Sequence, residues 1–174
     1  LQDGAVAVVK ILQAPSKSSK ASGVIVEVLG DLMAPGMEIE MALRNHDLPH
    51  KWSDGVLGEA SEIAEAFKIS QFKYRKDLRG FPFVTIDGAD ARDFDDAVYA
   101  MHADGQQVLY VAIADVSHYV RPGSALDSEA LARGTSVYFP SQVIPMLPEK
   151  LSNGICSLMP SVDRAVLVAE LHIA

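Results

Sequence analysis

The sequence predicts an α+β chain in which an incomplete small β-barrel precedes a mixed α/β region. Three observations carry that expectation. Short β-branched runs punctuated by glycine and proline fill the first fifty residues. A capped helical pattern follows Pro49. Beyond Phe83, apolar strand-like runs are interleaved with one further capped helix.

Residues 4–12, 23–29 and 37–44 read as three strands. Val6, Val8 and Ile11 mark the first, Val24-Ile25-Val26-Glu27-Val28-Leu29 the second, and Met37-Glu38-Ile39-Glu40-Met41-Ala42-Leu43 alternates through the third. Pro15 to Lys20 is a polar loop, and Gly30-Asp31 and Pro35-Gly36 are turn signals. A helix capped by Ser53 or Asp54 follows, with Val56, Ala60, Ile63, Ala64 and Phe67 at helical spacing, and it reads as a connector. Boundaries are expected near residue 50 and near Arg79-Gly80-Phe81-Pro82. This divides the chain into 1–50, 51–79 and 80–174. Val84-Thr85-Ile86 is a short strand, and 97–101 with 107–114 forms a hairpin across Ala103-Asp104-Gly105. Val108 to Ala114 is apolar on both faces, as a central strand should be. A helix from Ala125 to Arg133 lies between the cap Ser124 and the terminator Gly134. Tyr138 then sits in a stiff loop before Pro140, a short helix lies near Glu149 to Leu151 and ends at Asn153-Gly154, and residues 165–173 form a last strand.

Composition narrows the class. With 174 residues, 49% of them apolar and 22% charged, the chain can bury one large core or two small ones. No apolar run reaches the roughly eighteen residues of a membrane span. Leu1-Gln2-Asp3-Gly4 lacks a leader's basic and apolar regions, so no membrane association and a cytoplasmic location are expected. Cys156 is the single cysteine, which excludes an internal disulfide and a thiolate cluster. Both ends look truncated, which predicts a fragment. The net charge of −8 argues against general nucleic-acid binding. Lys68, Lys73, Arg75, Lys76 and Arg79, interleaved with Phe67, Phe72 and Tyr74, form a local exception. Such a stretch can track a single strand, but a solvated segment with two anchoring aromatics is the reading the residues favour.

The segment Thr85 to Val98 is the richest in chemistry. Asp87, Asp90, Asp93, Asp95 and Asp96 crowd ten residues threaded with Ile86, Phe94, Ala97 and Val98, which favour burial. Like charges about 4 Å apart repel by roughly 4 kcal/mol at an effective dielectric of 20. Such a group calls for raised pKa values or hard cations such as Mg²⁺ or Mn²⁺. Asp93 and Asp95, two apart, can converge, with Asp96 turned towards a second ion or Asp87. No register supplies the glycine and final glutamate of an EF-hand. A metal site and a purely structural acidic turn both remain open on the residues alone. His46, His50, His102 and His118 lack ligand spacing, Asp115 reads as an outer partner of the acidic loop or as a turn cap, and Ser136, Ser141 and Ser152 lack a nucleophile elbow. Gly30 and Gly36 are isolated turn glycines rather than a phosphate loop. Tyr138 reads either as a base-stacking aromatic or as a core residue.

Thr85-Ile86-Asp87-Gly88-Ala89-Asp90-Ala91-Arg92-Asp93-Phe94-Asp95-Asp96-Ala97-Val98 resembles the signature of the ribonuclease II/ribonuclease R (RNB) exoribonuclease family. Val111 to Ser117, Arg133 to Pro140, Ile144 to Pro148 and Leu151 to Leu158 extend the likeness, which runs from about residue 80 to the end. The Asp-Phe-Asp-Asp form, with Gly88 after Asp87, is closer to the ribonuclease R branch. The first fifty residues resemble the cold-shock-like OB domain that precedes the catalytic domain in that family. The resemblance implies processive, Mg²⁺-dependent hydrolysis (Mn²⁺ as the alternative ion) of single-stranded RNA, or of structured RNA with a 3′ overhang, to nucleoside 5′-monophosphates. It assigns Asp87, Asp93, Asp95 and Asp96 to the metal site, Asp95 to catalysis and Tyr138 to stacking on the terminal base. The family's catalytic domain runs on beyond this length, so a non-catalytic RNA-binding fragment with an incomplete metal site is the alternative.

Overall fold

The structure, a computed structural model, describes residues 3–173. The chain divides into two compact units between His50 and Lys51.

In the first unit, β1 (Ala5–Gln13) and β2 (Ser22–Asp31) form an antiparallel pair interrupted by bulges. Gly23 permits the close approach at one of them, because a Cβ there would stand 2.7 Å from the Lys10 carbonyl oxygen. The expected third strand at 37–44 is instead a helix, α1 (Met37–Asn45). Its residues alternate with period two, yet methionine, glutamate, alanine and leucine all favour helix, and propensity outweighs the alternation. Helical geometry also brings Glu40 and Arg44 one turn apart, where they pair at 2.6 Å. Arg44 reaches Glu27 of β2 as well, at 2.9 Å, and Met37, Ile39 and Leu43 are buried.

The second unit starts with α2 (Asp54–Ala66), whose Ser53 cap accepts a hydrogen bond from the Val56 N–H at 3.4 Å. The helix expected as a connector is part of a core: Val56 and Ala60 are buried with Leu126, Leu151 and Ile155. A 3-10 turn (Ile69–Phe72) adds Phe72 to the same core. Next, β3 (Asp96–Ala103) and β4 (Gln106–Ala114) form the hairpin. Asp104 and Gly105, at φ 51° and 79°, supply the two positive φ values of its tight turn. β4 is central, as its sequence demands, between β3 and the antiparallel β7 (Val166–Ile173). Val84 makes only a single bridge, to Val98 on the outer side of β3, rather than a strand.

Along β4, Val108, Tyr110, Ala112 and Ala114 are buried, and Phe81 packs on Tyr99 and Tyr110 at 5.3 and 5.2 Å. The opposite face leaves Ile113, Leu167, Leu171 and Ile173 exposed. After the single turn α3 (Val116–Tyr119) comes α4 (Ala125–Arg133). The Ser124 Oγ accepts from the Asp127 N–H at 3.1 Å, and Gly134 ends α4 at φ 73°. Tyr138 lies not in a loop but on β5 (Val137–Phe139), paired with β6 (Gln142–Ile144). The short helix expected to stop at Asn153-Gly154 is a π-helical turn from Lys150 to Ile155, with Gly154 out of helical geometry. No helix among the described residues is long and apolar enough to cross a membrane.

Candidate active site

The acidic loop is suspended between two fixed points of the sheet. At one end Val84 and Val98 exchange both backbone hydrogen bonds, at 3.0 and 2.8 Å. Asp87 follows three residues on, near enough for its charge to act on Asp95. At the other end the Asp95 carbonyl accepts from the Ala114 N–H at 2.9 Å, and Asp96 opens β3 opposite Ile113. Between these points the chain turns where the Ala91 N–H meets the Gly88 carbonyl at 3.0 Å. Ile86, expected to seek burial, is 83% exposed, whereas Phe94 is half-buried and Ala97 is buried.

The middle of the loop is fastened by Ser157, which is wholly buried. Its hydroxyl donates to the Arg92 carbonyl at 2.7 Å and accepts from the Phe94 N–H at 3.2 Å. The Leu158 N–H reaches the Phe94 carbonyl at 2.8 Å. Tyr138 comes from the β5–β6 hairpin, which α4 steadies. Arg133 donates to the Pro145 carbonyl at 3.1 Å and stacks 3.4 Å above the Trp52 ring, and the Ser136 Oγ accepts from the Met146 N–H at 2.9 Å. The Tyr138 hydroxyl donates to Asp93 Oδ2 at 3.1 Å while its ring stays open to solvent.

The electrostatics of the loop follow from this crowding. Asp95 remains accessible, yet enclosure by protein atoms raises its carboxyl above the ordinary range, and the charges of Asp93, Asp96 and Asp87 raise it further. Tyr138 is raised too, by burial first and then by its hydrogen bond to Asp93. Cys156 is pushed up to about 12, chiefly by burial and then by Asp95. Four carboxyl groups offer an all-oxygen donor set of the kind that suits a hard divalent cation, and such an ion would relieve the repulsion felt at Asp95. Among the described residues, no three His, Cys, Asp or Glu side chains already stand together around one ion position.

Other expected groups fall elsewhere. Asp115 is buried and caps α3: it accepts from the His118 N–H at 3.1 Å and the Ser117 hydroxyl at 2.8 Å, and pairs with Arg75 at 2.5 Å. Burial alone would raise its carboxyl, but these partners outweigh burial and lower it. His118 packs on Phe72 at 4.8 Å, and burial followed by Arg121 and Arg75 lowers its pKa. His102 lies at the far end of β3 from Asp96. In the basic stretch, Arg75 is taken up by Asp115 and Arg79 by Asp77 and Asp163, while Phe72 is buried and Phe67 packs against the core. The anchored, solvated reading therefore describes most of it, and Tyr74 alone of its aromatics stands 88% exposed. Ser157 and the Arg75–Asp115 pair escaped the sequence reading, because both act through contacts 40 or more residues apart that no local spacing announces.

Comparison with known proteins identifies the relatives of this chain. Residues 75–174 match the RNB domain family and residues 1–53 the cold shock domain family. Ribonuclease R of Acidithiobacillus ferrooxidans is 54% identical over 169 residues, covering 97% of this chain and 38% of that protein. Ribonuclease R of Escherichia coli K12 is 55% identical over 172 residues, covering 98% of this chain and 21% of that protein. Ribonuclease R of Mycoplasma genitalium, solved in complex with double-stranded RNA, has a TM-score of 0.92 at 34% identity, over 99% of this chain and 31% of that one. The chain thus spans well under half the length of these curated relatives. An α+β arrangement of cold-shock-like residues followed by the start of an RNB domain is what the likeness and the structure share. With more than half of its residues matching that family and the acidic loop inside the matched part, the chain belongs to the RNB family.

Proposed function

We propose that this chain carries the acidic half of a ribonuclease R-like active site, which hydrolyses RNA processively from the 3′ end and releases nucleoside 5′-monophosphates. The observation that carries the reading is that the charges of Asp93, Asp96 and Asp87 all act on Asp95, with the Tyr138 hydroxyl on Asp93. Asp87, Asp93, Asp95 and Asp96 would hold Mg²⁺ or Mn²⁺. A divalent ion bound there supplies positive charge to the phosphate being cleaved. The chain's own part is placement. Tyr138 offers an open ring for the last base while its hydroxyl braces Asp93, and the sheet fixes Asp95 and Asp96. Holding the terminal nucleotide against the acidic loop in this way accounts for several kcal/mol of such a barrier.

The substrate is RNA with a free 3′ end, single-stranded or with a 3′ overhang on structured RNA. Support comes from the Mycoplasma genitalium relative, solved with double-stranded RNA and with ribose-methylated single-stranded RNA. The proposed compartment is the cytoplasm, where a single buried thiol stays reduced.

A second reading, RNA binding without hydrolysis, is favoured by the acidic side chains' not yet standing together around one ion position. The deciding experiment uses the gene's full-length product on 5′-labelled RNA. Wild type should release mononucleotides from the 3′ end in Mg²⁺ and stop in EDTA. Asp95→Asn should bind RNA with little change yet lose turnover, because asparagine keeps the shape and removes the ligand charge. Turnover by Asp95→Asn at the wild-type rate would refute the assignment.

A further inference from the structure

We propose that Ser157 is a positioning residue for the acidic loop: its buried hydroxyl sets where Asp93 stands relative to Asp95, and so the loop's affinity for a divalent cation. The inference rests on the metal-dependent reading above.

Ser157 is one of two buried polar residues among those described, and the other, Asp115, serves as a helix cap. Its single oxygen ties two backbone groups, the Arg92 carbonyl at 2.7 Å and the Phe94 N–H at 3.2 Å. Those residues flank Asp93 on either side. The Leu158 N–H to the Phe94 carbonyl at 2.8 Å adds a third tie from the same short segment. That segment is itself held firmly: the Ser157 carbonyl accepts from Arg164 Nε at 2.9 Å, and Arg164 also bonds the Gly154 carbonyl at 3.0 Å. Asp95, two residues along, is anchored instead to β4 through the Ala114 N–H. Asp93 and Asp95 are therefore fixed by different parts of the unit, and the Ser157 clamp determines their separation. Removing the hydroxyl takes the shared partner from the Phe94 N–H and the Arg92 carbonyl and frees the loop on both sides of Asp93. Groups that orient metal ligands from outside typically change metal affinity about 10–100-fold when removed.

The test uses the full-length gene product and Mn²⁺ as probe, with free Mn²⁺ followed by electron paramagnetic resonance. Ser157→Ala should bind Mn²⁺ about 10–100-fold more weakly, and RNA hydrolysis should need correspondingly more Mg²⁺, with kcat largely restored at saturating metal. Ser157→Cys keeps the volume with a weaker hydrogen-bonding group and should fall between wild type and alanine, which decides the matter if the alanine variant does not fold. Cys156→Ala removes a neighbouring buried side chain without touching the clamp, so it should lower the melting temperature and leave Mn²⁺ affinity unchanged. Unchanged Mn²⁺ affinity in Ser157→Ala or Ser157→Cys would overturn the proposal, as would an equal weakening in Cys156→Ala. Asp95→Asn separates the two levels. If it binds Mn²⁺ like wild type, the acidic-loop metal site itself is wrong. If it loses Mn²⁺ while Ser157→Ala does not, only the positioning role falls.

Discussion

Replacing Asp115 tests how the second unit is held together, and its two functions can be separated by choice of substitution. The carboxylate is 4% exposed, caps α3 and pairs with Arg75, whose side chain is 36% exposed. Asp115→Asn keeps an oxygen for the His118 N–H and loses only the charge, since asparagine caps about as well as aspartate. Breaking a fully buried pair costs roughly 3–5 kcal/mol. Arg75 can turn to water, so about 1–2 kcal/mol is expected for Asp115→Asn. Asp115→Ala removes the cap as well, adding about 1 kcal/mol. In a unit of this size, each kcal/mol lowers the melting temperature by about 4 °C.

Trp52 reports the transition, because it is the one tryptophan and lies under Arg133 in this unit. The pH dependence has a definite sign. Asp115 has a lower pKa folded than unfolded, so its stabilisation is complete above the unfolded value of about 3.9 and is lost as pH falls through the folded value. The gap between wild type and Asp115→Ala should therefore be widest at neutral pH and narrow in acid. A gap below about 0.5 kcal/mol at pH 7, or one that widens on acidification, would refute the argument.

Three further outcomes are expected. In the full-length protein, Tyr138→Ala should lengthen the final undegraded oligonucleotide, since one lost base stack costs about 1–3 kcal/mol; Tyr138→Phe should keep the end product, and an unchanged end product in the alanine variant would make the ring a packing residue. Ser124→Ala should cost about 1 kcal/mol by removing the α4 cap, read from the same Trp52 melt, with no change expected if the 3.1 Å bond to the Asp127 N–H is idle. The purified 174-residue chain should release almost no mononucleotide from RNA even in Mg²⁺; EDTA-sensitive 3′-end degradation by it would show that the acidic half suffices.

What could be read from the chain beforehand depended on how local its cause was. The α4 boundaries follow from Ser124 and Gly134, and the hairpin from Asp104-Gly105, because caps and tight turns are settled within a few residues. The stretch 37–44 misled because two periodicities fit it, and what favours the helix includes a contact from Arg44 to Glu27 seventeen residues earlier. The identities of the acidic residues and of Tyr138 were legible as chemistry, whereas the 3.1 Å bond joining Tyr138 to Asp93 spans 45 residues and has no sequence signature. Asp115 shows the same limit: two roles were open from its position, and Arg75, 40 residues away, belongs to the one the structure adopts.

The lone cysteine offers a clock. Cys156 is buried directly before Ser157, and a thiol pushed up to about 12 carries almost no thiolate at neutral pH. Alkylation therefore proceeds only through openings that expose it, and the labelling rate under a fast reagent measures how often they occur. Because the next residue, Ser157, clamps the acidic loop, a cation bound there stabilises the closed layer and should slow labelling more than one adsorbed elsewhere. Mass spectrometry of a single alkylated residue would then record the breathing of this layer, with no probe introduced.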